Sequence, residues 1–414
     1  MKYTELQKIR YQNKGKEAFD TEFNKRFDGY GTIKTGLKIH PFGQDVRITT
    51  KQYTLFVVNN QELMMLQERI MDKAVEINNL LNNIPDVAKN SFLRGVLINE
   101  IQSTNEIEGV HSSRKEISRA WYDMEQNQNK NTRFLGILKL YSYLSKGDFE
   151  KISDIKEIRE IYDKLVSDEV DASNILDGEY FRKGSVEVTQ GERVIHRGNP
   201  NESSIISDLI QYIKFINDSN IPFLIKAMLG HYFFEYIHPF YDGNGRTGRY
   251  ITCRYLSEKL DILTALSFSH IINEQKDVYY KAFKTTSAEY NMGEGTMFVY
   301  ELLKIVLKGQ ESLISNLKKS EELMDKAYIY TGSTLRDTDN IIHDVFFLIC
   351  QASLFRDELT DDEIASLLGT HRVTVNKRLK TLVQKGLIQQ VKKRPSIHTL
   401  TNETIQAVNN QLLS

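Results

Sequence analysis

His238-Pro239-Phe240-Tyr241-Asp242-Gly243-Asn244-Gly245-Arg246-Thr247-Gly248-Arg249 separates two segments of helical periodicity, and the turn it must make organises its surroundings. Pro239 disfavours helical geometry at His238 and has no amide donor, so the apolar helix over Phe223 to Ile237 ends with His238 beside a loop. Asp242-Gly243-Asn244-Gly245 is turn-forming, and a new helix is expected from about Gly245, its unbonded amides facing the loop. Arg246 and Arg249 then occupy the first turn of that helix, where the dipole is already positive and further positive charge is disfavoured. A bound polyanion accounts for them. Gly243 and Gly245 let the backbone approach, the amides and guanidiniums hold phosphate oxygens, and Asp242 can hold Mg²⁺ against them. A neutral imidazole at His238 can take a proton from an incoming hydroxyl, help that is typically worth ~10²–10⁴ in rate. Each residue alone has an ordinary structural use, but together they predict a nucleotide site, with Phe240 as the core anchor of its loop.

Outward from this stretch, the 3.6-residue period recurs in Ser91 to Glu108, Ser203 to Asn217, Thr247 to Leu260 and Lys276 to Tyr290. Six prolines in 414 residues suit long helices. The exception is Phe181 to Arg197, where Val186, Val188, Val194 and Ile195 flank Gln190-Gly191-Glu192 as a short β-hairpin. The fold class expected is therefore mainly α, in four parts. Residues 1–90 form a cap or docking layer with a helix near Gln61 to Asn83, 91–310 a helical core, 311–340 a charged helical connector, and 341–414 a separate small domain.

Composition narrows the function classes. A net charge of −1 argues against whole-molecule binding to nucleic acid or an anionic membrane, while leaving local patches open. Cys253 and Cys350 sit far apart in apolar helical contexts, as buried thiols of a reducing compartment do, and supply neither a disulfide framework nor a cysteine zinc site. Met1 to Asp20 is charged throughout and lacks a signal-peptide core, and nothing approaches the roughly 18 apolar residues of a membrane span. The cytoplasm is the default compartment.

The stretch His238 to Arg249 resembles the Fic family signature H-P-F-x-[D/E]-G-N-G-R-x-x-R at every defined position. The resemblance implies a Fic-type helical core and transfer of AMP from ATP-Mg²⁺ to a hydroxyl side chain of a protein, with UMP or phosphate transfer as alternatives. It implies that His238 is the base, Asp242 the metal ligand, Asn244 a phosphate ligand, and Arg246 and Arg249 clamps on the remaining phosphates, with Gly243 and Gly245 lining the anion hole. The hairpin at 181–197 resembles the family's flap, which would align an extended segment of the protein substrate, this chain itself included, by strand addition. Tyr279 and Tyr280 resemble the pair bordering the adenine pocket, whereas Ser287 lies where some members carry an asparagine against the base.

Upstream, Thr104-Asn105-Glu106-Ile107-Glu108-Gly109 places Glu108 on the same helical stripe as Leu97, Ile101 and Thr104, with Gly109 as the cap. A carboxylate facing inward at a helix C-terminus is disfavoured by desolvation and by the dipole, and so calls for a cation. The segment resembles the inhibitory motif [S/T]-x-x-x-E-[G/N] of N-terminally inhibited Fic proteins, which implies that Glu108 pairs with Arg249 and blocks seating of the γ-phosphate.

Within 341–414, Ile341 to Gln351 reads as a helix, Thr360-Asp361-Asp362-Glu363 as a capping box, Gly369-Thr370-His371 as a turn and Arg372 to Lys385 as a third helix. Leu387 to Val391 and Ile397 to Leu400 frame Lys392-Lys393-Arg394-Pro395 as a wing. Ile364 to Asn402 holds eight basic residues and no acidic one, which suits phosphate contacts to DNA, with Thr374, Asn376 and Arg378 in reach of bases. A protein-docking or homodimerisation module is the equal alternative. Two functions stand at this stage: a regulated protein adenylyltransferase, and a DNA-binding regulator whose core senses nucleotide. An intact His238 favours the enzyme, because a sensor needs phosphate ligands but no base.

Overall fold

The computed structural model describes residues 3–12, 16–43, 46–125, 133–145, 147, 150–166, 170–190 and 193–412. Two compact units emerge: residues 1–74 with 97–311, and residues 75–96 with 312–414.

The first unit opens with α1 (Leu6–Gln12) and α2 (Lys16–Phe27), followed by strands β1 (Thr32–Ile39), β2 (Phe42–Gly43), β3 (Val46–Arg47) and β4 (Tyr53–Val58). β1 pairs antiparallel with β4, and β2 with β3. This sheet structure in the first 90 residues was not anticipated from sequence. Leu55, Phe56 and Val57 of β4 are fully buried, and Phe23 and Phe27 of α2 pack against Phe56. The chain continues through α3 (Gln61–Asn83), α4 (Asp86–Ile107), α5 (Arg114–Glu125), α6 (Leu135–Ser145) and α7 (Ile155–Val166).

The next two strands are β5 (Glu187–Gln190) and β6 (Arg193–Arg197), joined antiparallel with a register irregularity after Val188. They are shorter than the span 181–197 expected, because Phe181 and Arg182 are buried in the core rather than extended in the hairpin. Gly191 and Glu192, at the expected hairpin tip, lie outside the described residues.

α8 (Glu202–Asn217), α9 (Phe223–Ile237) and α10 (Asn244–Lys259) form the centre, and α9 is buried on nearly every side. A helix that is apolar all round belongs inside a bundle. Then come α11 (Ile262–Ala265), α12 (Phe268–Glu274), α13 (Lys276–Ser287) and α14 (Thr296–Thr334). The stretch read as a connector from 311 is thus largely the continuation of one 39-residue helix.

In the second unit, α15 (Asn340–Leu354), α16 (Asp361–Leu367) and α17 (Arg372–Gln384) precede the paired strands β7 (Ile388–Lys393) and β8 (Ser396–Leu400), with α18 (Asn402–Asn409) after them. Thr360 and Glu363 make the expected capping box, and Val375, Leu379 and Leu382 of α17 are buried. The fold is therefore mainly helical, with a C-terminal helix-turn-helix and wing. Arg378, expected to reach outward, is instead paired with Asp339, the N-cap of α15, at 3.2 Å, because its side chain folds back along α17. Cys253 and Cys350 are buried free thiols. Among the described residues no helix is long and apolar enough to cross a membrane.

Candidate active site

α9 ends at its C-cap, His238, which is left-handed at φ 52° instead of taking the extended geometry usual before a proline. This strained turn is held by Arg182, a fully buried guanidinium that donates to the main-chain oxygens of His238 (2.9 Å), Asn199 (2.7 Å), Ile237 (3.4 Å) and Gly184. Burial pushes its pKa down to about 10, and carbonyl oxygens satisfy the cation. Arg47 of β3 performs a related task from the N-terminal layer. It donates to Gly198 O and Asn199 Oδ1, each at 3.1 Å, and to the Tyr236 hydroxyl, fixing the base of the β5–β6 hairpin. Neither arginine was singled out from sequence, because each acts through residues far away along the chain.

The loop after His238 is rigid by construction. Phe240 is fully buried and stacks on Tyr162 of α7 at 3.8 Å between ring centres. The Asn244 side chain accepts from Phe240 N and donates to Phe240 O, both at 2.8 Å. Expected as a phosphate ligand, that amide is here committed to shaping the loop. Gly243 caps α10 at φ 77°, where a Cβ would lie 2.7 Å from Val166, so both conformation and space require glycine. Its amide donates to Asp242 Oδ1 at 2.6 Å.

His238 faces a pocket lined also by Glu108, Glu235, Arg249, Gly245, Tyr280 and, from the hairpin, Val188 and Ile195. Its Nδ1 lies 3.3 Å from the Glu235 carbonyl oxygen. A carbonyl can only accept, so Nδ1 carries the proton and Nε2 is left with its lone pair. Burial, reinforced by the Arg182 charge, pushes the imidazole pKa down to about 4, leaving it neutral at pH 7. A second imidazole, His196 of β6, is 6.1 Å away between ring centres and meets the Tyr236 carbonyl oxygen at 2.9 Å.

Arg249, one turn into α10, is 1% exposed and bound by both ends of one motif. Its Nε donates to Thr104 Oγ1 at 2.9 Å, and its Nη2 to Thr104 O at 3.0 Å and Glu108 Oε1 at 2.8 Å. Burial opposes the guanidinium charge, but Glu108, together with Tyr279 and Glu235, outweighs it and holds the pKa above the ordinary arginine range. The carboxylate also lies over the N-terminus of α10, where a Cβ on Gly245 would be 2.2 Å from Glu108 Oε1. That position suits an anion. Arg246 is equally buried, at 2% exposed.

The end of α4, immediately before Glu108, is anchored beside the site. Glu100 accepts from Ser269 N at 2.8 Å and His270 N at 3.2 Å, and Glu106 accepts from Asn273 Nδ2 at 2.8 Å. Of the two tyrosines, Tyr280 is 38% exposed at the pocket, whereas Tyr279 is buried with its hydroxyl 2.7 Å from His231 Nε2. Ser287 Oγ is 2.9 Å from the Tyr232 hydroxyl, closing the far wall.

Residues 152–256 match the Fic/DOC family, and residues 346–404 match the Crp-like helix-turn-helix domain. A Fido domain-containing protein of Dictyostelium discoideum is 27% identical over 150 residues, 36% of this chain and 96% of that relative. Two solved structures share 18–19% identity with the chain. A Fic family protein from Desulfovibrio desulfuricans superposes with a TM-score of 0.48, covering 81% of this chain and 96% of that one. A segment of Fic-1 from C. elegans gives 0.41, covering 63% and 73%. By the family matches, a Fic/DOC domain at 152–256 is followed by a Crp-like helix-turn-helix domain at 346–404.

Proposed function

We propose that the chain is a protein adenylyltransferase that moves AMP from ATP to a protein hydroxyl and is restrained by Glu108. The observation that carries this is the neutral His238, its Nε2 lone pair free, in one pocket with Arg249 and the glycine-rich start of α10. In the reaction the target hydroxyl oxygen attacks the α-phosphorus, and the bond from that phosphorus to the bridging oxygen of the β-phosphate breaks. The electron pair leaves with pyrophosphate, and the hydroxyl proton passes to His238 Nε2. The N-terminal amides of α10 and the buried guanidiniums of Arg246 and Arg249 would hold phosphate oxygens, preorganised by the Asn244 and Arg182 clamps.

Among the described residues no group of three or more His, Cys, Asp or Glu is arranged to hold a metal. One carboxylate, Asp242, stands at the start of α10, which fits a Mg²⁺ carried in by the phosphates. Such an ion would neutralise charge on the departing pyrophosphate. Tyr280 and Ser287 supply the side of the pocket away from the phosphates, which suits a base. The hairpin lines the same pocket through Val188 and Ile195, a position from which its edge could align an extended target segment.

Restraint follows from the Glu108–Arg249 pair, since a guanidinium bound to Thr104 and Glu108 is not available to a γ-phosphate. The test is transfer of label from the α-phosphate of ATP to protein by the intact chain and by Glu108→Gly and His238→Ala variants. A second reading, a DNA-binding regulator that uses the same core to sense nucleotide, draws on the Crp-like helix-turn-helix match. Salt-dependent duplex binding by the full chain tests it.

A further inference from the structure

Glu235 is the single carboxylate in α9, a helix otherwise built of apolar and aromatic side chains apart from Lys226 and His231. Its side chain is only 13% exposed, and its Oε1 is buried with no hydrogen-bond partner. Such a group costs stability unless it serves a purpose. The surroundings make room for it: a Cβ at Gly248, just past the first turn of α10, would sit 2.3 Å from Glu235 Oε1. One turn along α9, its Oε2 lies 3.9 Å from His238 Nδ1, on the side of the imidazole opposite the Nε2 that would take the target's proton. The other charged or titratable groups facing it are Glu108 and Arg249 across the pocket and the hydroxyls of Tyr212, Tyr279 and Tyr280.

We infer that Glu235 is a positioning residue for His238: its carboxyl group faces the Nδ1–H that the Glu235 carbonyl oxygen already holds and, when ionised, balances the imidazolium formed during transfer. The inference rests on the transfer reading for the role of His238. When His238 Nε2 accepts the hydroxyl proton, the ring carries two N–H groups and a positive charge. An ionised Glu235 lowers the free energy of that state without accepting the proton itself. Burial, and after it the charge of Glu108, pushes the Glu235 pKa up to about 8, against the smaller effect of Arg249. With Glu108 in place, Glu235 therefore remains largely a neutral acid at pH 7. Removing the Glu108 charge lowers the pH at which Glu235 ionises, so Glu108 would act on the base as well as on Arg249.

Two measurements test this. The first needs no turnover: the ¹⁵N signals of the His238 ring are followed against pH in the full chain. A Nδ1–H tautomer with an inflection near pH 8 is expected, shifted lower in Glu108→Gly and absent in Glu235→Gln. A His238 signal that passes pH 7–9 without inflection in the unsubstituted protein overturns the inference, whatever the chain catalyses. The second is the rate of label transfer against pH in the Glu108→Gly background. Adding Glu235→Gln should lower kcat roughly tenfold or more, leave KM for ATP unchanged and flatten the rise with pH, while Glu235→Asp retains part of it. Parental kcat and pH profile in Glu235→Gln contradict it; if no variant transfers label, the transfer reading fails and the His238 signal still decides the role of Glu235.

Discussion

Arg249 Nη2 and Glu108 Oε1 meet at 2.8 Å, with the guanidinium buried and the carboxylate 23% exposed. The asymmetry matters, because the buried partner belongs to α10 and cannot leave, whereas the exposed one stands just beyond the end of α4. Breaking the contact by moving Glu108 leaves a buried cation above a helix N-terminus, and an anion from solvent satisfies both. If Glu108 competes with the γ-phosphate for Arg249, Glu108→Gly should raise transfer at least tenfold, equivalent to roughly 1.4 kcal/mol. Arg249→Ala in that background should reverse the gain. A folded Glu108→Gly chain no faster than its parent with any nucleotide would make the pair structural.

Arg182 gives a prediction about stability. Arg182→Met removes the donors to the oxygens of His238, Ile237, Asn199 and Gly184, leaving buried acceptors without partners. The cost should be about 3 kcal/mol or more, read as a lowered midpoint in denaturant. Loss of less than about 1 kcal/mol would show that water replaces the clamp.

The buried histidines set the acid limit. Burial pushes His196 and His231 to about 3 and His238 to about 4, from an ordinary 6.5. The unfolded chain therefore takes up protons first, so this contribution is complete above pH 6.5 and is lost progressively as pH falls through about 4 to about 3. Glu235 acts in the opposite sense, since a carboxyl raised from 4.5 to about 8 weakens the fold as pH rises through that interval. Glu235→Gln should accordingly match its parent near pH 4.5 and exceed it in thermal stability at pH 8 and above. Equal midpoints at both values would contradict the burial argument.

In the winged-helix domain, Arg372 pairs with Asp362 and Arg378 with Asp339, so two of the eight basic residues are engaged in ion pairs. If the domain binds duplex, changing Lys392, Lys393 and Arg394 of the wing to alanine should weaken binding to all sequences alike and flatten its salt dependence. Thr374 or Asn376 changes should alter sequence preference instead. Full chain that fails to retain duplex even at low salt would leave this domain a protein-docking module.

What the sequence made legible was whatever it wrote contiguously or periodically. The loop from His238 to Arg249 is one unbroken run, and Glu108 stands on an apolar stripe where a carboxylate is out of place. Arg47 and Arg182 escaped notice because arginine in a polar stretch carries no mark of burial; only the closing of the hairpin onto α9 shows what they hold. Glu235 had a faint signal, as the one acid in a fifteen-residue apolar helix, but next to a helix end it reads as an ordinary solvated glutamate. The sheet of β1 and β4 was hidden for a different reason: Tyr53–Val58 is a short apolar run whose length and periodicity do not distinguish it from a buried helical turn, and its pairing partner does.

The most direct test of the account is intact mass and label retention after Glu108→Gly protein is incubated with Mg²⁺, a cell lysate and ATP labelled at either the α or the γ position. The account predicts protein-bound label from the α position, a mass gain of one AMP on the modified protein, and neither after His238→Ala. Label retained from the γ position alone, or α-label undiminished in the His238→Ala variant, would contradict it.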